Sequence, residues 1–410
     1  MSFSTFQFHP AVAAGITAAG FSSPTPIQAQ AIPLLMQGQD VMGLAQTGTG
    51  KTAAFALPLL HRLMTNKGSG LRALILAPTR ELAEQIYKDI TILARQTRLR
   101  SVTVYGGVGL NPQVQKLRKG AEIVIACPGR LIDHMNRGNV DFRHLEALVL
   151  DEADQMLDMG FAPDIRKILK QLPRERQTLM FSATMPAEIR KLAFEALRKP
   201  VVVKVGETAP ADTVRHVHFP VAQDMKTPLL LKILRETEIA SVLVFTRTKQ
   251  RAKRLGEALA RAGYGATSLQ GNLSQARRQA ALDGFRSGKF QILVATDIAA
   301  RGIDVSNVSH VVNFDIPMTA DAYIHRIGRT GRAERNGEAF NLVTTDDRPI
   351  LRTIDRLIGT PIEQRILPDF DYNRAATAKP LRAAAERPAS AWKSLRKTAR
   401  HPNGFQGRVL

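Results

Sequence analysis

Nine short, continuously apolar runs recur along this chain of 410 residues, and stretches of helix-like composition separate them. A run that is apolar throughout, rather than at alternate positions, is typical of a strand buried on both faces of a parallel sheet. The pattern therefore predicts an α/β fold in which helices flank two parallel sheets. The runs are residues 40–45, 73–78, 122–127, 147–152, 178–184, 241–246, 291–296, 310–315 and 338–344.

A segment of different composition separates the first five runs from the last four. The sequence VGETAPADT, residues 205–213, contains Gly and Pro and little apolar material, which is typical of a linker. We predict a first domain over residues 1–205, a linker over 206–213 and a second domain over 214–370. Residues 371–410 are basic and have no strand pattern, so we expect a largely disordered tail.

The charge of the chain indicates a polyanionic partner. Lys and Arg number 57 against 36 Asp and Glu, which gives a net charge of +21. This excess favours nucleic acid over a membrane surface. The single cysteine, Cys127, excludes an internal disulfide framework and fits a reducing compartment. No apolar run reaches about 18 residues and the N-terminus lacks a signal pattern, so we expect a cytoplasmic protein without membrane association.

The loop after the first apolar run has the composition of a phosphate-binding loop. It reads AQTGTGKT from Ala45 to Thr52, between a predicted strand and a predicted helix. Gly48 and Gly50 allow backbone N–H groups to turn towards a phosphate, and the helix start adds further donors. Lys51 would reach the β- and γ-phosphates of a nucleotide, and Thr52 would place its hydroxyl on Mg²⁺. The usual pattern begins with Gly, so Ala45 is a small departure.

Three carboxylates, Asp151, Glu152 and Asp154, follow the apolar run that ends at Leu150. In P-loop nucleoside triphosphatases a second strand ends in an acid that holds Mg²⁺, and Asp151 is in such a position. Glu152 would then orient or deprotonate the attacking water. Asp154 could connect the site to neighbouring loops. The alternative is an acidic helix start, since carboxylates stabilise helix N-termini.

With AQTGTGKT and DEAD in one chain, the sequence resembles the DEAD-box ATP-dependent RNA helicases of superfamily 2. The resemblance covers residues 1–345, where nine further short motifs occur in the expected order. It implies two RecA-like parallel-sheet domains in tandem, with ATP and Mg²⁺ as cofactors and RNA as the partner. The motifs are GFSSPTPIQ, PTRELA, GG, PGR, SAT, LVFTRT, QARR, ATDIAARGIDV and HRIGRTGR.

Within that family, three stretches are most similar to the bacterial RhlE subgroup. They are MSF at the start, DEADQMLDMGF and ATDIAARGIDV. This similarity implies a cytoplasmic factor for ribosome assembly or RNA turnover. Ribosomal or RNA-decay proteins would then be partners, although the sequence does not identify any of them.

The resemblance also assigns residues to the ATP site. It implies that Gln28 hydrogen-bonds the adenine edge, that Phe3 stacks on the base and that Asp304 meets the ribose. An amide such as that of Gln28 can pair with the donor and the acceptor of adenine together. Arg329 and Arg332 would be arginine fingers that the second domain delivers to the γ-phosphate. The loop residues implied to bind the nucleotide are Gln46, Thr47, Gly48, Thr49, Gly50, Lys51 and Thr52.

Arg326, Arg329 and Arg332 recur every three residues. On a helix, this spacing would crowd the three guanidinium groups towards one side. Like charges at that spacing are unfavourable unless an anion faces them, which fits a role beside the nucleotide. The alternative is a solvated basic helix.

RNA, by the same resemblance, lies across both domains on the face away from ATP. The residues implied to contact its phosphates and sugars are Arg80, Gly107, Arg130, Arg278 and Thr296. Ser182 and Thr184 of the SAT motif are implied to couple the two domains. Phosphate contacts carry no sequence information, and aromatic residues are only 6% of the chain. Binding should therefore be sequence-independent and sensitive to salt.

Cys127 is a departure from the family pattern. The PGR motif usually follows a Thr, and here it follows Cys127. A thiol is a poorer hydrogen-bond partner than a hydroxyl, so one phosphate or capping contact would be weaker. The alternative is that Cys127 is a small buried residue that only packs.

Two other functions would use a similar site. A DNA helicase or translocase shares the two-domain core, but the GFSSPTPIQ motif and the DEAD spelling argue against it, and no accessory DNA-binding domain follows the core. An RNA clamp or annealing protein would use ATP only as a switch and would keep the same residues. Strand-separation assays on RNA and DNA duplexes, with and without ATP, distinguish the three functions.

Deletion of residues 371–410 should weaken RNA binding without changing catalysis. The tail carries nine Lys and Arg residues and two acids, so its loss should reduce the number of counterions released on binding. The measurement is RNA affinity against salt concentration, together with ATP turnover at saturating RNA. An unchanged salt dependence would show that the tail does not touch RNA.

Overall fold

The computed structural model describes residues 2–46, 48–205, 214–300, 305, 308–331 and 337–372. The predicted linker, residues 206–213, lies outside these ranges, and so does the predicted tail from residue 373 onwards. Three predicted site residues, Thr47, Asp304 and Arg332, also lie outside them. Within the described ranges, no helix is long and apolar enough to cross a lipid bilayer.

The first domain contains a sheet of seven strands. These are β1 (Val41–Leu44), β2 (Ala73–Leu76), β3 (Ser101–Val104), β4 (Ile123–Ala126), β5 (Ala147–Leu150), β6 (Gln177–Ser182) and β7 (Val201–Lys204). The strand order is β3-β4-β2-β5-β6-β1-β7, and every neighbouring pair is parallel. The helices are α1 (Pro10–Ala18), α2 (Pro26–Met36), α3 (Lys51–Thr65), α4 (Arg80–Leu93), α5 (Leu110–Arg118), α6 (Pro128–Asn136), α7 (Ala153–Asp158), α8 (Ala162–Leu169) and α9 (Ala187–Ala196).

The second domain repeats this architecture with another seven-stranded sheet. Its strands are β8 (Val214–Pro220), β9 (Val242–Phe245), β10 (Ala266–Leu269), β11 (Ile292–Ala295), β12 (His310–Asn313), β13 (Gly337–Val343) and β14 (Glu363–Gln364). The order is β10-β11-β9-β12-β13-β8-β14, again with parallel neighbours. The helices are α10 (Lys226–Glu236), α11 (Lys249–Arg261), α12 (Gln275–Arg286), α13 (Asp297–Ala300), α14 (Ala320–Ile327) and α15 (Arg348–Ile358).

Burial on both faces explains the continuous apolar runs. In β2, Ala73 and Ile75 pack into one hydrophobic cluster, whereas Leu74 and Leu76 pack into another on the opposite face of the sheet. Each of the nine predicted runs overlaps one strand, which confirms the prediction of two parallel sheets in tandem. The exact domain boundaries stay a prediction.

Each domain has hydrophobic clusters of its own. Two clusters contain only residues of the first sheet and its helices, and three contain only residues from β8 onwards. Among the described residues, no buried cluster combines side chains of the two domains. Side chains of the two domains come together instead around two cavities at the carboxyl edges of the sheets.

Candidate nucleotide site and RNA cleft

The phosphate-binding loop lies between the end of β1 and the start of α3. Gly48 and Gly50 have φ values of 84° and 91°, in the left-handed region that glycine adopts without strain. A side chain at position 50 would also meet the Gln28 amide nitrogen at 2.5 Å. Lys51, the first residue of α3, is 6% exposed, and its Nζ has no hydrogen-bond partner among the described residues. A buried ammonium without a partner, next to a helix N-terminus, fits a nucleotide phosphate.

Gln28 connects the GFSSPTPIQ motif to this loop. Its Nε2 donates a hydrogen bond to the Gly50 carbonyl at 3.0 Å, and its Oε1 accepts one from the Thr25 backbone N–H at 2.9 Å. Phe3 is 6% exposed and stacks on Phe21 with ring centroids 6.1 Å apart. These contacts fix both residues within the first domain. Their predicted roles at the adenine base stay predictions.

Asp151 and Glu152 lie at the carboxyl end of β5, and each is 2% exposed. Glu152 has φ 51° and ψ 52°, a left-handed conformation that is uncommon outside glycine and often marks functional sites. Its N–H donates to Asp151 Oδ1 at 3.0 Å. Burial raises the pKa of the Asp151 carboxyl to about 7, although the positive charge of Lys51 acts in the opposite direction. A cation at this carboxyl would hold it in the ionised form.

Asp154 joins the DEAD motif to the SAT motif. Its Oδ2 accepts hydrogen bonds from the backbone N–H of Ala183 at 2.9 Å and of Thr184 at 3.0 Å, and from the Thr184 hydroxyl at 3.2 Å. The Ser182 hydroxyl donates to the Thr184 carbonyl at 2.8 Å. The predicted connection of Asp154 to a neighbouring loop is therefore confirmed, and that loop follows β6.

The second domain closes this site from the opposite side. A cavity of about 60 Å³ is lined by residues of both domains, and Lys51, Glu152 and Arg329 are among them. Arg329 is 5% exposed. His325 also lines the cavity, with its Nε2 4.0 Å from Asp154 Oδ2. The sequence contained His325 within HRIGRTGR, but the spacing of the arginines gave no indication of its position.

The prediction that three arginines lie along one side of a helix is wrong. Helix α14 ends at Ile327, so Arg326 lies on the helix and Arg329 follows it. Arg326 donates to both carboxylate oxygens of Asp297, at 2.6 and 2.7 Å, and to Asn313 at 2.8 Å. These partners hold Arg326 within the second domain. The chain leaves the helix at Gly328, and this directs Arg329 towards the cavity.

A larger cleft of about 690 Å³ also lies between the domains. Four of the five residues predicted to bind RNA line it, namely Arg80, Arg130, Arg278 and Thr296. Gly107, the fifth, has φ 81°, and a side chain there would collide with the Arg80 guanidinium. The predicted RNA-binding residues are therefore close together in the structure, although no described contact tests their role.

Arg278 crosses this cleft. Its Nε donates to Glu81 Oε1 of the first domain at 2.6 Å, and both side chains are largely buried. Glu81 lies within PTRELA, but its pairing could not be predicted from the sequence, because the partner is 197 residues away along the chain. Cys127 lines the cleft as the N-cap of α6 and makes no side-chain capping bond. Burial raises the pKa of its thiol to about 12.

These features define a P-loop nucleotide site divided between two RecA-like domains. The family models for the DEAD/DEAH box helicase domain and for the helicase conserved C-terminal domain match residues 25–192 and 225–334. The DEAD-box ATP-dependent RNA helicase CshA of Geobacillus kaustophilus is 44% identical over 86% of this chain and 75% of its own. The Listeria monocytogenes ATP-dependent RNA helicase CshA is 42% identical over 94% and 74%. The chain belongs to the DEAD-box ATP-dependent RNA helicases.

Solved structures agree with this assignment. A structure of Saccharomyces cerevisiae Dbp5 bound to RNA and ADP BeF3 has a TM-score of 0.78 at 31% identity, over 89% of this chain and 95% of that chain. A DEAD box protein from Methanococcus jannaschii has a TM-score of 0.53 at 36% identity, over 89% and 99%. Both likenesses extend over most of the two chains, so each includes both domains.

Asp154→Asn should loosen the SAT loop. An asparagine has one oxygen acceptor, so it cannot accept the bonds that both carboxylate oxygens now receive from Ala183, Thr184 and Gln155. Hydrogen bonds to a charged group contribute about 1.5–3 kcal/mol, so amide exchange should accelerate by about 10-fold or more. Hydrogen exchange at residues 183 and 184 measures this, with Asp164→Asn on α8 as the control. Unchanged exchange would contradict the assigned connection.

Proposed function

We propose that this ATP-dependent RNA helicase hydrolyses ATP in the cavity between its domains. The observation that carries the proposal is that Lys51 and Glu152 of the first domain line the same small cavity as Arg329 of the second. A site of this kind is complete only when both domains contribute to it. RNA that spans the neighbouring cleft would favour that arrangement, and by linkage ATP would favour RNA binding by the same factor.

Lys51, Thr52 and Asp151 hold the nucleotide and its metal in this proposal. The Lys51 ammonium, which lacks a hydrogen-bond partner among the described residues, supports a contact with the β- and γ-phosphates, and the loop backbone from Gln46 to Gly50 binds the same group. Bound Mg²⁺ neutralises the charge that develops on the phosphates. Gln28 and Phe3 would recognise the base, and Asp304 the ribose.

Glu152 acts on the attacking water. It is buried beside Asp151 at the strand end, and its backbone is held in an unusual conformation that aims the side chain. A carboxylate there can orient the water and accept its proton. Arg329, with Arg332, would stabilise the charge of the transition state from the other domain.

The route from ATP to RNA passes through Asp154. This carboxylate binds the SAT loop through Thr184 and lies near His325 of the second domain. A shift of the SAT loop or of His325 would therefore also move Glu152, which lies two residues before Asp154. Ser182 and Thr184 are the residues that we propose to couple the domains.

RNA binds in the larger cleft through its backbone. Arg80, Arg130 and Arg278 supply guanidinium groups, and Gly107 and Thr296 supply close backbone and hydroxyl contacts. The cleft residues are mainly basic and small, which supports sequence-independent binding and the local separation of short duplexes. When RNA binds, the Arg278 guanidinium would either leave Glu81 for a phosphate or contact both groups.

We further propose that the chain is of the RhlE subgroup and acts in the cytoplasm in ribosome assembly or RNA turnover. The support is the sequence of its MSF, DEADQMLDMGF and ATDIAARGIDV stretches and its single cysteine. The excess of Lys and Arg over acidic residues supports action on particles that contain RNA.

Glu152→Gln should abolish ATP turnover and leave ATP binding intact. The amide keeps the shape of the side chain but cannot accept the proton of the attacking water. The variant should bind ATP and RNA and remain in the closed state. Single-turnover hydrolysis and nucleotide binding are measured in parallel, and Glu188→Gln on α9 is the control. A variant that hydrolyses ATP at the unmodified rate would refute the role of Glu152.

Arg329→Ala should remove most of the RNA-stimulated ATPase activity. Loss of one group that stabilises the transition state costs about 10²–10³-fold in rate. RNA binding without nucleotide should change little, because Arg329 does not line the larger cleft. The measurement is ATPase rate against RNA concentration, with Arg352→Ala on the exposed face of α15 as the control. Full activity without RNA, or a stimulated rate that survives the substitution, would contradict the divided site.

A further inference from the structure

A basic cleft of about 470 Å³ lies on the first domain, away from both sites described above. It is bounded by the ends of α8 and α9 and by the loop that precedes β6. Four cationic side chains line it, namely Lys170, Arg174, Arg176 and Arg198. Arg174 and Arg198 are exposed, whereas Arg176 is half-buried at the base of the loop.

The carboxylates that line or underlie this cleft are already bound to other groups. Glu195, the one acid among the described residues that line it, pairs with Arg166 at 2.7 Å. Asp40 lies behind it and accepts the backbone N–H of Thr178 at 2.8 Å and of Arg198 at 2.7 Å. The four cations of the cleft therefore exceed the negative charge available to them.

Arg176 shows the effect of this imbalance. Its Nη1 donates to the Pro173 carbonyl at 2.5 Å, but its Nε is buried and has no hydrogen-bond partner among the described residues. Burial, followed by the positive charge of Arg198, lowers the pKa of its guanidinium, although the negative charge of Asp40 acts in the opposite direction. Buried donors normally find an acceptor, and an anion in the cleft would supply one to Arg176 Nε.

The tendency of cations to lie at helix C-termini explains only two of the four basic residues that line the cleft. Lys170 caps α8 and Arg198 follows α9 closely, and cations are favourable at helix C-termini. Arg174 and Arg176 lie in the loop between α8 and β6, so no helix end accounts for them. Glu175, which lies between these two in the sequence, is exposed and does not line the cleft.

The cleft is also separate from the proposed ATP and RNA sites. ATP and RNA bind at the carboxyl edge of the first sheet, whereas this cleft lies at the amino edge, where β6 begins at Gln177. At about 3.3 Å per residue, a strand the length of β6 separates the two edges by about 20 Å.

We propose that this cleft is an anion site that binds phosphate groups. Guanidinium groups match phosphate oxygens through paired N–H donors, and an anion would satisfy Arg176 Nε and offset the repulsion between Arg176 and Arg198. Among the described residues no aromatic side chain lines the cleft, so the phosphate itself is recognised rather than a base. The phosphate belongs either to a free oligophosphate or to the backbone of an RNA that extends beyond the helicase cleft.

The first experiment tests the free anion. Pyrophosphate is titrated by calorimetry into the full chain with ADP at saturation, so that the phosphate-binding loop is filled. The unmodified protein should bind one pyrophosphate per chain, and the double variant R174E/R198E should bind none. The control R95E/R98E makes the same charge change on exposed residues at the amino edge near β3, four strands away, and should still bind.

The second experiment tests RNA as the source of the phosphate. Affinity is measured against salt for a short RNA that fills only the helicase cleft and for one of about four times its length. If the backbone is the ligand, R174E/R198E should weaken only the long RNA, and its salt slope should fall by about 0.7 for each lost contact. Melting curves for both variants establish that they are folded.

The anion site is supported if R174E/R198E loses pyrophosphate binding or the length-dependent RNA affinity while R95E/R98E keeps it. Which of the two is lost identifies the source of the phosphate. Folded R174E/R198E that binds both ligands as the control does would overturn it. The same holds if the unmodified protein binds no pyrophosphate beside ADP and shows no dependence on RNA length.

Discussion

The carboxylate of Asp154 holds together the part of the molecule on which the active site depends. It is 5% exposed, and such a burial is unfavourable unless hydrogen bonds compensate for the lost water. Two backbone amides and a hydroxyl from the loop after β6 provide that compensation. The end of β5, with Asp151 and Glu152, is thereby fixed relative to the SAT loop, and His325 of the other domain lies against the same carboxylate.

Two contacts between the domains are pairs of polar side chains. Glu81 and Arg278 form an ion pair across the larger cleft, and Asp154 faces His325 at the smaller cavity. Paired charges can separate into water at little cost because water solvates each of them again. Apolar surfaces could not separate in this way. The arrangement would suit the proposed mechanism, in which the site divided between the two domains is complete only when they are together.

The sequence was sufficient to predict those features that depend on residues close together along the chain. Strands such as Ala147–Leu150 were predicted because burial on both faces makes them apolar throughout, and the phosphate-binding loop because its motif is local. The roles of Lys51 and Asp151 at a phosphate and a metal stay predictions. The edge strands Ser101–Val104 and Ala266–Leu269 were missed because each is partly exposed and carries Ser and Thr, so neither is apolar throughout. Strands β7, β8 and β14, at the opposite edges of the two sheets, were also not predicted.

The rest of the site depends on relations that no local pattern encodes. The pairing of Glu81 with Arg278 requires the relative position of two domains. The spacing of Arg326 and Arg329 predicted one shared role, but the end of α14 separates them, and Arg326 binds Asp297 within its own domain. Regular spacing places like residues on one side of a helix only when all of them lie within that helix.

The separate hydrophobic cores have a consequence for how this chain loses its structure. With no apolar cluster shared among the described residues, each domain can unfold by itself, so the whole chain has no single free energy of unfolding. A ligand that touches both domains changes this, because its binding energy is lost when either one unfolds. ATP and RNA would therefore act as the cooperative link between the two halves, and the melting of one half would report on the state of the other.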